Sequence, residues 1–271
     1  MKIKRKRTLA TTLVETLPPI GLVGFLATSI LPALGKAKAR ANRIKCVSNI
    51  KQVGSAFKAF ASDNNDRMPW LLEDRDKIAQ SGGRFGAPGN AAWVNETSTL
   101  FVHPAIRSNL GSAKILVSPV DPDRQGVNDG VDLHNVSIAK PVPNGGHSYG
   151  VVNGAGGTGK GADEARPGTT LTVTRNISGP ANKEDSLSDQ GDNPQRSTAA
   201  RFAFWKGADQ HPADARTMAS LNSNAGQSGM SDGSAMQSND AALQQNTRMH
   251  HQELFGTFRG SPSGFLDTPN D

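Results

Sequence analysis

"TTLVETLPPIGLVGFLATSILPALGKAKARANRIKC", residues 11–46, places one carboxylate, Glu15, at the head of a run without charge. From Thr16 to Gly35, 20 positions carry no ionised side chain, about the length that spans a bilayer core. Only 11 of those 20 are strongly apolar, and Pro18, Pro19 and Pro32 interrupt them, so hydropathy alone makes this a marginal span. Five cations precede it, Lys2, Lys4, Arg5, Lys6 and Arg7. Cations on that side hold an amino terminus in the cytoplasm and send the rest of the chain outward.

Composition limits the kinds of protein this can be. Of 271 residues, 35% are apolar and 5% aromatic, with 29 glycines and 16 prolines. Long polar loops around a small core fit these figures better than a large enzyme core. The charge is uneven: residues 1–51 hold 11 Lys and Arg against one acid, while the remaining 220 hold 19 against 23. A nucleic-acid reader needs its positive charge on a folded surface, and here that charge flanks an apolar segment. No nucleic-acid partner is expected. A lone cysteine, Cys46, excludes an intrachain disulfide and a cysteine-rich metal site, and reads as a small buried hydrophobe.

Three readings of the amino terminus stay open. A cleaved signal peptide has a basic start, an apolar stretch and a small-x-small site, which Ala37-Lys38-Ala39 imitates. A plain membrane anchor leaves Glu15 unexplained, since an acid at the edge of a span is costly. The third reading comes from a resemblance. A basic leader, a small residue, Thr11-Thr12-Leu13-Val14-Glu15 and an apolar helix ending Ile30-Leu31-Pro32-Ala33-Leu34 resemble the type IV prepilin and type II secretion pseudopilin signature. The resemblance implies cleavage and methylation between Ala10 and Thr11, with Glu15 required for assembly and Pro32 matching a proline common in pilin helices. A carboxylate in a filament core is tolerable where it meets the positive amino terminus of a neighbouring subunit. The chain departs from the family at Ala10, where glycine is usual, and at Thr11, where phenylalanine is usual.

Past the apolar run, Ile44, Val47, Ile50, Val53, Phe57 and Phe60 recur every three or four residues, which draws one stripe along a helix. Asp63-Asn64-Asn65-Asp66 ends it. The stretch from Ile30 to Trp70 resembles the planctomycete–verrucomicrobial group of pseudopilin-related proteins: Leu-Pro-Ala-Leu, a Lys/Arg/Ala run, Cys46-x-x-Asn49, Phe-Ala, Asp-Asn and proline. Relatives of this kind carry Cys-Pro-x-Asp-Pro where this chain has Ser118-Pro119-Val120-Asp121-Pro122, and a Ser-Tyr run, here Ser148-Tyr149 with Asn153 nearby. The resemblance thus sets Ser118 where a second cysteine would sit, and any disulfide from Cys46 is lost.

In the remainder, residues 114–117 read as a short apolar strand, and "GHSYGVVNG" (146–154), "TTLTVTRNISG" (169–179) and "RFAFWKG" (201–207) as three more. A turn at Asp232-Gly233 precedes a helix from about Asp240, capped by Asn239 or Asp240. Residues 179–198 and the final stretch lack apolar periodicity and are expected to be loops.

Chemistry is sparse. "GAGGTGKG" (154–161) imitates a phosphate loop, but Gly161 stands where a hydroxyl should meet magnesium, and Pro167 stops the supporting helix. It reads as a connector. The six histidines form no H-x-x-x-H or H-E-x-x-H pair, and no G-x-S-x-G elbow occurs. Calcium is the metal kept open, through the oxygens of Asp121, Asp123, Asn128, Asp129 and Asp132, although their spacing is not that of an EF-hand.

The expected architecture is α+β, a long amino-terminal helix on a small antiparallel sheet, as in pilins. Its parts are a leader (1–10), a transmembrane or filament-core segment (11–35), an amphipathic helix (36–62), a head (63–255) and a tail (256–271). The expected role is a non-enzymatic subunit of a type II secretion pseudopilus or type IV pilus-like filament. Its partners would be the prepilin peptidase, sibling pseudopilins, further copies of itself, an assembly platform protein and the membrane. The precursor would be single-pass in the inner membrane, amino terminus cytoplasmic and head in the periplasm or at the surface. The alternative is a permanently anchored exported binding protein, with Trp70, Trp93 and Trp205 as a sugar-stacking face.

Overall fold

A computed structural model describes residues 13–81, 91–137, 140–153, 161–178, 204–210, 217–218, 221–255 and 266–267. Ala10, Thr11 and the leader, most of the glycine-rich connector and the 179–203 loop lie outside the described residues. Helix α1 runs Leu13–Asp63, and Pro18, Pro19 and Pro32 lie inside it. The chain divides into two compact units, Met1–Ala41 and Asn42–Asp271.

In the first unit the described part of α1 presents its large apolar side chains to solvent: Ile20, Leu22, Phe25, Leu26, Ile30, Leu31 and Leu34 are all exposed. Two exposed hydroxyls bond back to the helix itself. Thr28 Oγ1 and Ser29 Oγ donate to the Phe25 carbonyl at 2.8 and 3.0 Å, the back-bonding that spares a helix unsatisfied side-chain donors.

The second unit is α+β. Its main sheet has the order β6-β5-β2-β1-β7, antiparallel throughout: β1 is Tyr149–Val152, β2 Thr170–Thr174, β5 Gly226–Met230, β6 Ala235–Ser238 and β7 Leu266–Asp267. A second small sheet pairs β3 (Ile177–Ser178) with β4 (Phe204–Trp205). The three strand expectations at 146–154, 169–179 and 201–207 coincide with β1, with β2 and β3, and with β4. The turn after β5 needs Gly233, whose φ of 86° lies in the left-handed region. Beyond it Asn239 Oδ1 accepts from the Ala242 amide at 2.8 Å and caps α6, Asp240–Phe255. The tail, expected to hold no element, supplies β7 at the β1 edge.

The second unit's part of α1 packs on one face of the sheet. Val53, Ala56, Phe57, Phe60 and Ala61 share a core with Trp70, Trp93, Phe101, Val151 and Leu171. A buried phenylalanine of this kind contributes about 2 kcal/mol or more through its apolar area. Gly229 allows the close approach, since a Cβ there would lie 2.6 Å from Ile50 Cγ2. Leu243 of α6 clusters instead with Val152, Val173, Ile177 and Trp205. Leu171 and Val173, two residues apart in β2, reach different cores because the ladder slips between Thr170 and Thr172.

Two expectations are corrected. Ile44 is exposed, and Cys46 and Asn49 are buried instead, because the stripe that meets the head is rotated from the one drawn through Ile44. Residues 114–117 are not a strand. A 3₁₀ turn spans Ala113–Leu116, with the Ser112 hydroxyl accepting from the Lys114 amide, and it buries Ala113 and Leu116 three residues apart. Within 121–132, helix α5 spans Pro122–Asn128, with proline at its first position where no amide donor is lost. The expected helix break is present: Asn65 and Asp66 take φ of 56° and 58°, and the Asp66 amide donates to the Ala61 carbonyl at 2.8 Å.

Candidate functional site

The residues singled out in three separate motifs meet in one buried polar cluster. Cys46 Sγ and Ser118 Oγ share a hydrogen bond at 2.7 Å, although 72 positions separate them. One turn on, Asn49 Nδ2 donates to the Val117 carbonyl at 3.1 Å and to the Tyr149 hydroxyl at 3.3 Å. Ser148 Oγ donates to Asp121 Oδ2 at 2.7 Å. Arg175 closes the cluster with a forked pair, Nε to Asp121 Oδ2 at 2.7 Å and Nη2 to Asp121 Oδ1 at 2.8 Å, and Nη2 also donates to the Thr217 carbonyl. Sequence reasoning missed Arg175. Its signal was a cation two residues beyond Val173 at the end of a strand, which without the fold has no visible partner.

Local chain geometry builds this arrangement. Pro119 and Pro122 bracket a turn in which the Asp121 amide donates to the Ser118 carbonyl at 3.0 Å and the Val120 amide to Ser118 Oγ at 3.2 Å. That turn holds Ser118 against α1 and Asp121 against the strand end. β1 begins at Tyr149, and the Ser148 amide donates to the Leu116 carbonyl at 2.9 Å, which fixes the strand to the turn.

The cluster's chemistry is that of a latch. Burial pushes the Cys46 thiol above its ordinary range, against the smaller opposing effect of the Ser118 hydrogen bond. Such a thiol is a poor nucleophile at neutral pH. Burial likewise raises the Tyr149 phenol well above its ordinary value. Asp121 and Arg175, both almost wholly inaccessible, neutralise one another. A charge pair of this kind adds little net stability over an apolar filling, but removing one partner is costly.

Of the other sequence-selected residues, Asp123 reaches its edge, with Oδ2 3.9 Å from Arg175 Nη2, and the rest take other roles. Glu15 and Pro32 lie within α1, and Pro32 is exposed. Of the calcium candidates, Asp121 is taken by Arg175, and Asn128 Nδ2 donates to the carbonyls of Ala113 and Gly146 at 3.2 and 2.7 Å. Asp123, Asp129 and Asp132 are exposed, and Asp132 accepts from the His134 amide and the Asn135 side chain. Among the described residues no group of three or more His, Cys, Asp or Glu side chains is arranged to hold a metal ion.

All three tryptophans are core residues: Trp70 Nε1 donates to the Ala162 carbonyl, and Trp93 Nε1 to the Lys77 carbonyl, each at 2.8 Å, while Trp205 packs with Leu243. They therefore present no stacking face. His103 stacks on Trp93 with ring centroids 4.7 Å apart, and His147 meets Phe101 edge-on. Burial pulls the pKa of each down to about 4. A polar cleft of about 300 Å³ is lined by Arg43, Asn224, Gln227, Gln237, Ser238 and Asn239, a set of amides, one hydroxyl and a guanidinium with no acid–base pair.

Among the described residues no helix is long and apolar enough to cross a membrane. Comparison with family models, with curated proteins and with solved structures finds no match to the chain.

Proposed function

We propose that this chain is a prepilin-like structural subunit, cut between Ala10 and Thr11 and assembled through its amino-terminal helix into a type II secretion pseudopilus or type IV pilus-like filament. The latch is the observation that supports the reading most. Cys46-x-x-Asn49, Ser118-Pro-x-Asp121-Pro and Ser148-Tyr149 entered the resemblance as separate motifs, and they are mutual neighbours in the fold. Ser118 stands where the resembled group has a second cysteine, and its oxygen is the atom in contact with Cys46. A helix whose later half packs on an antiparallel sheet is in keeping with a pilin-like fold.

The exposed apolar side chains from Ile20 to Leu34 then find their surroundings in neighbouring subunits. Glu15 pairs with the amino terminus of an adjacent subunit and sets the axial register, so that the cost of its burial becomes specificity. The precursor waits in the inner membrane with its head outside the cytoplasm. Its partners are the prepilin peptidase, sibling pseudopilins, further copies of itself and an assembly platform. The subunit's work is mechanical, without catalysis.

Amino-terminal peptide mass spectrometry of the protein from its native membrane tests this. A start at Thr11 with an added methyl group is the expected result. A start at Met1 overturns processing and returns the chain to a plain anchor, and a start near Arg40 makes it an ordinary secreted protein.

A further inference from the structure

The segment that must reside in a membrane before assembly falls short of what hydropathy alone requires. Yet its exposed side chains fall into two bands. From Ile20 to Leu34 the exposed apolar residues Ile20, Leu22, Phe25, Ile30 and Leu31 point around the full circumference of the helix, as successive steps of about 100° dictate. That pattern suits insertion end-on and not a helix lying in the interface with one apolar face. Directly after it come Lys36, Lys38 and Arg40, all exposed and without an ion-pair or hydrogen-bond partner among the described residues. At the same angular step Lys36 and Arg40, four positions apart, share one face and Lys38 lies on the opposite side, so the cations flank the helix on two sides as a short basic collar. No acid occurs anywhere between Glu15 and Asp63 to neutralise them.

We infer that Lys36, Lys38 and Arg40 grip the headgroups of anionic phospholipids, and that this electrostatic hold supplies what the diluted apolar segment lacks. The inference deepens the subunit reading, resting on its membrane-resident precursor stage. The charge complementarity is one-sided and complete: three exposed cations at the end of an apolar segment meet a surface whose accessible groups are phosphates. The 20 charge-free residues from Thr16 to Gly35 extend about 30 Å as a helix, about the thickness of a hydrocarbon core, which sets the cations that follow at headgroup level. Long cationic side chains at the end of such a span reach outward to the headgroups while their stems stay along the apolar boundary. Membrane retention of the subunit therefore follows lipid composition, and lowering the anionic lipid content releases it.

The test is flotation of the full chain with vesicles, either pure phosphatidylcholine or phosphatidylcholine with about one-third phosphatidylglycerol, compared with the K36Q/K38Q/R40Q variant. Three cations near a charged surface correspond to on the order of 100-fold in partitioning. The unaltered chain should favour the anionic vesicles by at least that factor more than the triple variant does, and the excess should shrink as salt is raised. The leader's five cations are present in both proteins, so the difference isolates the collar. An unchanged preference in the triple variant overturns the proposal. So does self-association without vesicles that depends on these residues, which would assign the collar to a second copy, or capture by a soluble polyanion with no vesicle preference. The outcome is separable from the subunit reading: a mature chain starting at Met1 removes the filament and leaves the lipid preference intact, while a chain starting at Thr11 with no lipid preference does the reverse.

Discussion

The two parts of α1 have similar apolar content and opposite surroundings. Before Ala41 the described large apolar side chains are exposed, Phe25 to 71%, whereas after Cys46 Ile50, Val53, Phe57 and Phe60 are sealed at 1% or less. Helix-forming sequence is common to both. What separates them is the spacing of small and polar residues that lets a sheet approach one part, seen at Gly229 against Ile50 and in the Cys46–Ser118 contact. One continuous helix thus carries an exposed apolar part and a buried stripe end to end, and only the stripe takes part in the core of the second unit.

Acid should break this comparison most strongly. His103 and His147 are held neutral in the fold with pKa values near 4, below the ordinary 6.5. The unfolded chain takes up protons that the folded chain refuses, so their contribution is whole above about pH 6.5 and is lost as pH falls towards 4. Each is worth on the order of 3 kcal/mol across that window. Denaturant titrations at pH 7 and pH 4 should differ accordingly; equal midpoints would mean that neither ring is sealed. The exposed part of α1 has no histidine between residues 13 and 41, so its helicity should not share this dependence.

Two matched substitutions probe the packed part against the exposed one. Phe57→Ala should cost about 3–5 kcal/mol in unfolding free energy, while Phe25→Ala should stay within about 0.5 kcal/mol and show its effect in assembly or membrane recovery. Parity between them in a denaturation experiment would erase the division between the two parts. Arg175→Met should also cost about 3–5 kcal/mol, since Asp121 is left charged and buried, and the loss should shrink when Asp121→Leu is added. A double variant no better than the single would show that the pair is not the latch's core.

Ser118→Cys sharpens the comparison in the other direction. The Cys46–Ser118 geometry should accept a disulfide, and closing a loop of 72 positions should stabilise the head by about 2–4 kcal/mol under oxidising conditions. Reduction should reverse it, and a thiol assay still finding two free cysteines would count against the contact. The smallest effect is expected from Ile44→Ser, within about 0.5 kcal/mol, because that side chain is 64% exposed although it belongs to the sequence stripe.

Much was readable without the fold. The helix to Asp63 follows from unbroken periodicity and the absence of proline between Pro32 and Pro69, and its end follows from an Asx-rich run able to take left-handed φ. β1, β2 and the capped α6 were legible because alternation, turn residues and caps are local signals. The 3₁₀ turn at Ala113–Leu116 and helix α5 were not, since a short apolar run looks alike as strand or turn until its neighbours decide which face is covered.

The amino-acid sequence by itself determined the charge-free run behind Glu15, the cationic band after it and the propensity for one long helix, because each depends only on residues near in the chain. The tertiary structure alone decided that Cys46, Asn49, Ser118, Asp121, Ser148, Tyr149 and Arg175 would act together. Contacts across 27 to 100 positions leave no local trace. Burial then makes them matter, for a polar group sealed from water must find its partner inside the protein.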